Sequence, residues 1–204
     1  MSYRDLANQY AQGSGAELII KSMISTAGAS SGQVTFPAFL KNLTQGFKSN
    51  WQTEDVFGRN DPIATFQSTR RTVAVGFDVP SASLQEAQTN LSKISTLIKF
   101  LYPAYYDNMS VESISTKSNL IMSKSPLVTV KFANLIQSQD GTGLLGYIDG
   151  IDVNPTLSLG MFASGKLFYP KNYEISFNLN VLHKQDIGFN DTGDWLNENK
   201  KFPF

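Results

Sequence analysis

The stretch SLQEAQTNLSKISTLIKFLYP, residues 83–103, is the clearest structural signal in the chain. Its apolar residues recur at alternating spacings of three and four, which places them on one face of an α-helix. Ser83 followed by Glu86 is typical of a capping box, and Pro103 cannot continue a helix. The sequence therefore predicts a helix over about residues 83–102, with a buried stripe made of Leu84, Ala87, Leu91, Ile94, Ile98 and Leu101.

The segments on both sides of this helix alternate apolar and polar residues, as strands with one buried face do. Before the helix, the core face carries Val73, Val75, Phe77 and Val79. Residues 126–136 and 144–153 flank the turn-rich segment 137–143, which predicts a hairpin. A final strand places on its core face Tyr173, Ile175, Phe177, Leu179 and Val181. This pattern predicts an α+β fold with mainly antiparallel sheets and one covering helix.

The chain divides into one domain and two tails. We expect a polar N-terminal arm over residues 1–33, with a short helical candidate at 16–24 that precedes the flexible segment GASSG at 28–32. The domain covers residues 34–190, and a polar tail covers 191–204. Residues 36–51 are rich in aromatic side chains but their period fits helix and strand equally, and residues 104–124 are predicted to form a loop.

Composition excludes several classes of protein. The 204 residues carry 17 basic and 17 acidic side chains, so the net charge of zero gives no electrostatic footprint for binding nucleic acid or membrane. The chain has no cysteine, which excludes disulfides and thiolate chemistry. Its start, MSYRDLANQY, lacks the features of a signal peptide. Charged residues make up 17 %, which suits a protein that buries surface against partners, although ordinary compositional scatter explains it equally well.

A search for catalytic or metal-binding patterns finds none that is complete. His183, the single histidine, is followed by Asp186, but two ligands do not make a metal site and the sequence has no activated-serine motif. The triplet Asp191-Thr192-Gly193 matches aspartic proteases, yet a polar turn is the simpler interpretation. The glycines of DGTGLLG at 140–146 lack the strand-to-helix transition of a phosphate-binding loop. We therefore expect no enzyme activity, no cofactor and no metal.

Five phrases in order resemble the tail-tube-like baseplate proteins of contractile-tailed bacteriophages. They are FGRNDPIATF, TVAVGFDVPSASLQEAQTNLSKISTLIKFLYP, PLVTVKFANLI, GLLGYIDGIDVNPTLSLGMF and LFYPKNYEISFNLNVLHKQDIGF. Together they lie within residues 56–189. The similarity is strongest to the tube-initiator, or tube-associated, proteins. It implies a β-sandwich or rolled sheet with one flanking helix, and a homo-hexameric ring whose sheets continue from subunit to subunit around the DNA channel.

The resemblance also implies partners and a location. The ring would join the baseplate hub protein to the tail tube protein and initiate tube polymerisation, in the tail baseplate of a virion assembled in the host cytoplasm. Sheath or wedge proteins are further candidate partners. DNA would only pass through the channel, without sequence-specific binding, and no membrane is involved. A tail tube, hub-ring or tail-completion protein on the same fold is the alternative, and an enzyme or small-ligand module is the more distant one.

Two groups of residues are the candidate sites on this reading. The first group is the polar face of the last strand, which would line the lumen and consists of Glu174, Ser176, Asn178 and Asn180. An ordinary solvent-exposed strand face explains these polar residues equally well. A heterologous ring interface would involve sheet edges and residues 34–70. The candidate interface residues are Phe57, Arg59, Arg70 and Arg71.

Overall fold

Antiparallel strands account for most of the regular structure. The computed structural model describes residues 17–24, 32–37, 39–105 and 122–196. In these residues the strands are β1 (Glu17–Ser22), β2 (Gln33–Pro37), β3 (Phe39–Glu54), β4 (Ile63–Pro80), β5 (Ala104–Tyr105), β6 (Met122–Lys124), β7 (Val128–Phe132), β8 (Leu144–Pro155), β9 (Met161–Ser164), β10 (Leu167–Pro170) and β11 (Asn172–Val181). One α-helix, α1 (Leu84–Lys99), and one 3₁₀ turn, Leu157–Leu159, complete the described elements. The class is α+β, as the sequence predicts.

Seven of these strands form one sheet, which must roll up. Its order is β2-β1-β7-β8-β11-β4-β3, so the two edge strands are β2 and β3. Those two strands are separated by a single residue, so Pro37 and Phe39 lie within about 7 Å of each other. In a flat sheet β2 and β4 would be five strand spacings, roughly 24 Å, apart. Instead the rings of Phe36 in β2 and Phe77 in β4 have centroids 5.4 Å apart.

The inside of the rolled sheet is the hydrophobic core. The alternation predicted for β4, β7 and β11 is confirmed, because their apolar residues are buried and the residues between them face outward. The hairpin predicted between β7 and β8 is confirmed by the pairing of Thr129 with Leu145. Burial of this much apolar surface is the main stabilising contribution to such a fold. The largest fully buried side chains include Phe36, Phe77, Leu18, Ile20, Ile94, Leu97, Ile136, Ile175 and Leu179.

The predicted helix is confirmed, but its buried stripe differs from the predicted one. The Ser83 side chain accepts a hydrogen bond from the N–H of Glu86, and the Glu86 carboxylate accepts one from the N–H of Ala82. The buried residues of α1 are Ala87, Asn90, Ile94 and Leu97, whereas Leu91 and Ile98 are more than one third exposed. The stripe is therefore rotated by about one residue from the hydrophobic pattern.

Asn90 explains this rotation. Its side-chain amide donates to the hydroxyl of Ser81 at 2.9 Å and to the carbonyl oxygen of Pro80 at 3.3 Å. A buried amide is tolerated because it is hydrogen-bonded. The helix thereby presents a polar residue to the end of β4, while Ile94 and Leu97 enter the core. The spacing of the apolar residues predicts that Asn90 lies on the outer face of the helix, and this prediction is wrong because Asn90 is buried.

The N-terminal part of the chain contributes to the sheet. The helical prediction for residues 16–24 is wrong, because Glu17–Ser22 forms strand β1 between β2 and β7, with Leu18 and Ile20 fully buried. Residues 36–51, left open between helix and strand, belong to β2 and β3. The predicted loop at 104–124 begins and ends with the paired strands β5 and β6. Residues 1–16, 25–31, 38, 106–121 and 197–204 lie outside the described structure.

Gly146 in β8 tests how tightly the strands pack. It pairs with both Val128 and Val181, and a Cβ added there would overlap the carbonyl oxygen of Asn180 and come within 2.9 Å of the Leu179 side chain. We expect Gly146→Ala to lower the free energy of unfolding by about 1–3 kcal/mol, as overpacking does. Urea denaturation would measure this. Gly150→Ala in the same strand, where a Cβ meets open space, is the matched control; equal effects of the two variants would contradict the expectation.

Candidate assembly interface

The long hairpin of β3 and β4 extends beyond the sheet. The last residue of β4 that pairs with β11 is Thr72, opposite Asn180, so residues 63–70 of β4 pair with β3 alone. Eight residues at about 3.3 Å each make a projection of about 26 Å. We name residues 47–70 the β-arm; it consists of the outer halves of the two strands and the connecting tip. Nearly every residue in it is exposed.

The β-arm carries large apolar side chains that face solvent. Trp51 and Phe66 form a cross-strand pair with ring centroids 5.2 Å apart, and each ring is more than half exposed. Phe57 at the tip is fully exposed, and Phe47 and Ile63 are nearly half exposed. Apolar residues gathered on a projecting element are typical of a surface that binds another protein. An isolated two-stranded ribbon is also only marginally stable in water, so contact with a partner would stabilise the β-arm.

A polar cluster fixes the base of the β-arm to the body. Arg71 is 2 % exposed, and its Nε and Nη2 donate to Gln45 Oε1 at 3.2 and 2.6 Å. Gln45 in turn donates to the carbonyl oxygen of Leu135, in the connection between β7 and β8. The guanidinium also lies 5.4 Å from the ring centroid of Phe47. Burial lowers the pKa of Arg71, but an arginine stays charged under all physiological conditions.

The four candidate interface residues divide into two groups. Phe57, Arg59 and Arg70 are exposed on the β-arm, with Phe57 and Arg59 in its tip. Arg71 is buried at the base, because alternation along β4 directs it toward the core, as it does Val73. Arg71 contacts Gln45 and Phe47 of β3 and is connected to the β-arm through them. Trp51 and Phe66 fall within the segment 34–70 predicted to take part in an interface, but their residue types are those of a core strand and do not reveal that their rings are exposed.

The candidate lumen residues lie together on the outer face of the sheet. Glu174, Ser176, Asn178 and Asn180 alternate with the buried residues of β11. Beside them, a shallow depression has small side chains or none at Ala74, Gly76 and Gly150. Its charged lining groups are Lys41, Asp152 and Glu174. The surface is thus polar, low in relief and weakly acidic.

Lys41 is held by two carboxylates. Its Nζ lies 3.1 Å from Asp78 Oδ1 and 3.2 Å from Glu174 Oε1. These hydrogen bonds, to Asp78 first and Glu174 second, raise the pKa of Lys41. The ammonium therefore remains charged and its charge is compensated on the sheet face. Asn180 similarly donates to the carboxylate of Asp149.

The residues considered for catalysis occupy ordinary surface positions. His183 follows β11 beside a cavity of about 30 Å³ that Arg71 and Gln139 also line. Burial and the charge of Arg71 lower the pKa of His183. The Asp191-Thr192-Gly193 triplet is an exposed turn in which Asn190 Oδ1 accepts from the N–H groups of Thr192 and Asp194. Hydrogen bonds from Thr192 and Asn190 lower the pKa of Asp194.

The described residues contain no group of three or more His, Cys, Asp or Glu side chains placed to hold a metal ion. None of their helices has the length and apolar character needed to cross a membrane. Comparison of the chain with protein-family models and with curated proteins finds no match.

Arg71 and its exposed neighbour Arg70 give a matched test of the arm base. We expect Arg71→Met to speed hydrogen exchange of the amides in residues 48–54 and 63–70, because the Gln45 hydrogen bonds are lost. The free energy of unfolding should fall by about 1–3 kcal/mol, the cost of breaking a buried charged hydrogen bond. Arg70→Met should change both quantities little. If the two variants exchange alike, the arm is not held by Arg71.

Proposed function

We propose that this chain is a structural virion protein, a ring-forming baseplate subunit of a contractile-tailed bacteriophage. In this role it joins the central hub to the tail tube, initiates tube polymerisation and lines the DNA channel of the tail. The five ordered phrases within residues 56–189 support the proposal. The rolled antiparallel sheet with one flanking helix agrees with the tail-tube fold that the resemblance implies. The virion is assembled in the host cytoplasm.

The observation that carries the proposal is the β-arm. A two-stranded ribbon of about 26 Å that exposes Trp51, Phe57 and Phe66 to water is unusual for a protein that functions as a monomer. In a ring or stack of rings, the same ribbon lies against neighbouring subunits and loses its exposed apolar surface. Its opposite charges balance, with Lys48, Arg59 and Arg70 against Glu54, Asp55 and Asp61, so repulsion does not oppose such contacts.

The sheet edges support the same function. In the described residues, the outer sides of β2 and β3 have no partner strand in the seven-stranded sheet. Free N–H and C=O groups on an edge strand favour pairing with another chain. A closed ring with heterologous contacts satisfies such edges in every subunit, because each copy supplies one edge and accepts the other.

The outer sheet face suits a channel wall. DNA that moves through a tube must meet no surface that retains phosphate groups. The ammonium of Lys41 is paired with Asp78 and Glu174, and the neighbouring residues Ala74, Gly76 and Gly150 carry no positive charge. This face is therefore our candidate for the lumen, with Glu174, Ser176, Asn178 and Asn180 along β11.

The alternatives differ in what supports them. A tail tube, hub-ring or tail-completion protein on the same fold would use the same surfaces, and its docking partner would distinguish it. A small-ligand module gains little support from the cavity beside His183, because 30 Å³ accommodates only about one or two water molecules.

Assembly tests the proposal directly. We expect size-exclusion chromatography with light scattering to detect a ring of about six copies, formed by the full chain alone or on addition of the hub protein of the same phage. Tube protein added to the hub-bound ring should polymerise, whereas tube protein without it should polymerise slowly. A chain that stays monomeric with hub and tube proteins present would contradict the proposed function.

Charge on the candidate lumen face gives a second test. We expect Ser176→Lys with Asn178→Lys to leave ring formation intact but to slow DNA ejection from the assembled phage. Each added lysine is repeated in every subunit of the ring, and the lysines would attract the DNA phosphates. Double-stranded DNA should bind the variant ring with a steep salt dependence. Gln88→Lys with Ser92→Lys, on the exposed side of α1, is the control. Equal ejection rates for the two double variants would remove this face from the channel.

A further inference from the structure

A second apolar surface lies at the other end of the subunit. The 3₁₀ turn and the β9-β10 hairpin expose Leu157, Leu159, Met161 and Phe168, each with between 47 % and 64 % of its surface accessible. Met161 and Phe168 lie on one face of the hairpin, because Met161 pairs with Pro170 and Phe168 with Ala163. We name these four residues the hairpin platform. Helix α1 contacts β9 and β10 from the body of the protein, so the platform has a rigid support.

The β-arm and the hairpin platform lie at opposite ends of the same strand. The arm tip connects to the start of β4 at Ile63. Near the other end of β4, Val79 pairs with Tyr173 of β11, and Tyr173 also pairs with Pro155 of β8. Pro155 leads directly into the 3₁₀ turn of the platform. β4 has 18 residues, which span about 56 Å. The tip of one chain therefore cannot reach its own platform without breaking the sheet.

The two surfaces have complementary charge. Residues 54–61 of the arm tip contain Glu54, Asp55 and Asp61 against Arg59, a net charge of −2. Residues 156–171 contain Lys166 and Lys171 and no acidic residue, a net charge of +2. Each surface thus combines exposed apolar side chains with a net charge of one sign. Complementary charge at the rim of an apolar contact guides partners into one register.

From this juxtaposition we propose that the arm tip of one copy docks on the hairpin platform of a second copy of this chain. Phe57 and the Trp51–Phe66 pair contact Leu157, Leu159, Met161 and Phe168, while the tip carboxylates face Lys166 and Lys171. The inference rests on the proposed function and deepens it, because it names the two surfaces through which copies associate. The contact is heterologous, since each copy offers one surface and accepts with the other, so it repeats from subunit to subunit.

The absence of cysteine in the chain makes a direct test possible. Single variants Phe57→Cys and Phe168→Cys each carry one thiol, so a mixture of the two can be joined between chains by a short thiol-specific cross-linker and never within a chain. We expect a covalent dimer that contains one copy of each variant, identified by mass spectrometry of the linked peptides. The full chain is used throughout, at concentrations where light scattering detects wild-type oligomers.

Phe189→Cys is the matched control for the platform position. Phe189 is 68 % exposed, close to the 64 % of Phe168, but it follows β11 at the end of the sheet where the arm begins. The docking is supported if the yield of cross-linked dimer between Phe57→Cys and Phe168→Cys is well above the yield between Phe57→Cys and Phe189→Cys. Equal linking, or no linking in a sample whose oligomers persist, overturns the docking and leaves the proposed ring intact. A wild-type chain that is monomeric in every mixture overturns both.

Charge reversal supplies independent variants. We expect Asp55→Lys with Asp61→Lys, made in the Phe57→Cys chain, to lower the linking rate to Phe168→Cys about two- to fivefold, the usual effect of exposed ion pairs. Lys166→Glu with Lys171→Glu in the Phe168→Cys chain should restore the rate when mixed with the reversed arm. Circular dichroism would verify that each variant folds. Failure of the paired reversals to restore linking would show that these charges do not meet.

Discussion

A covalent constraint determines the shape of this protein. The strands at the two edges of the seven-stranded sheet, β2 and β3, are separated in the chain by one residue. The sheet has to curl until its edges approach, and the contact between Phe36 and Phe77 records that closure. The alternating apolar faces of β4, β7 and β11 then turn inward onto a common core, and the residues between them face outward. The helix α1 adds Ile94, Leu97 and Phe100 to that core.

Unequal strand lengths explain why the β-arm exists. β3 and β4 are much longer than the strands beside them, so their outer halves leave the sheet where β11 ends. In the body, buried Arg71 is hydrogen-bonded to Gln45, whereas the arm keeps aromatic rings in water. Exposed aromatic rings gathered on one projecting element, beside a buried core, are typical of surfaces that bind another protein.

The local sequence pattern predicts part of this structure. It fails where the conformation or burial of a residue depends on contacts with other segments of the chain. The alternation in β4 and β11 and the caps of α1 are local, so sequence analysis finds them. The short apolar segment ELIIKS is predicted to be helical, but it forms a strand because it pairs with β2 and with β7, and β7 lies far along the chain. Asn90 is polar by composition but buried because Ser81 and Pro80 accept its hydrogen bonds. No periodicity contains that information.

In the candidate interface, too, local sequence does not determine which residues are exposed. Trp51 and Phe66 have the residue types of a core strand, and the sequence around them does not reveal that β11 stops at Val181 and leaves them exposed. Phe57 and Arg59, in a turn before Pro62, are predictable surface residues, whereas Arg71 is separated from exposed Arg70 by one step of alternation and is buried. Exposure is a property of strand lengths and sheet order together. An exposed aromatic surface of this kind therefore becomes recognisable only when strands that are distant in sequence are placed side by side.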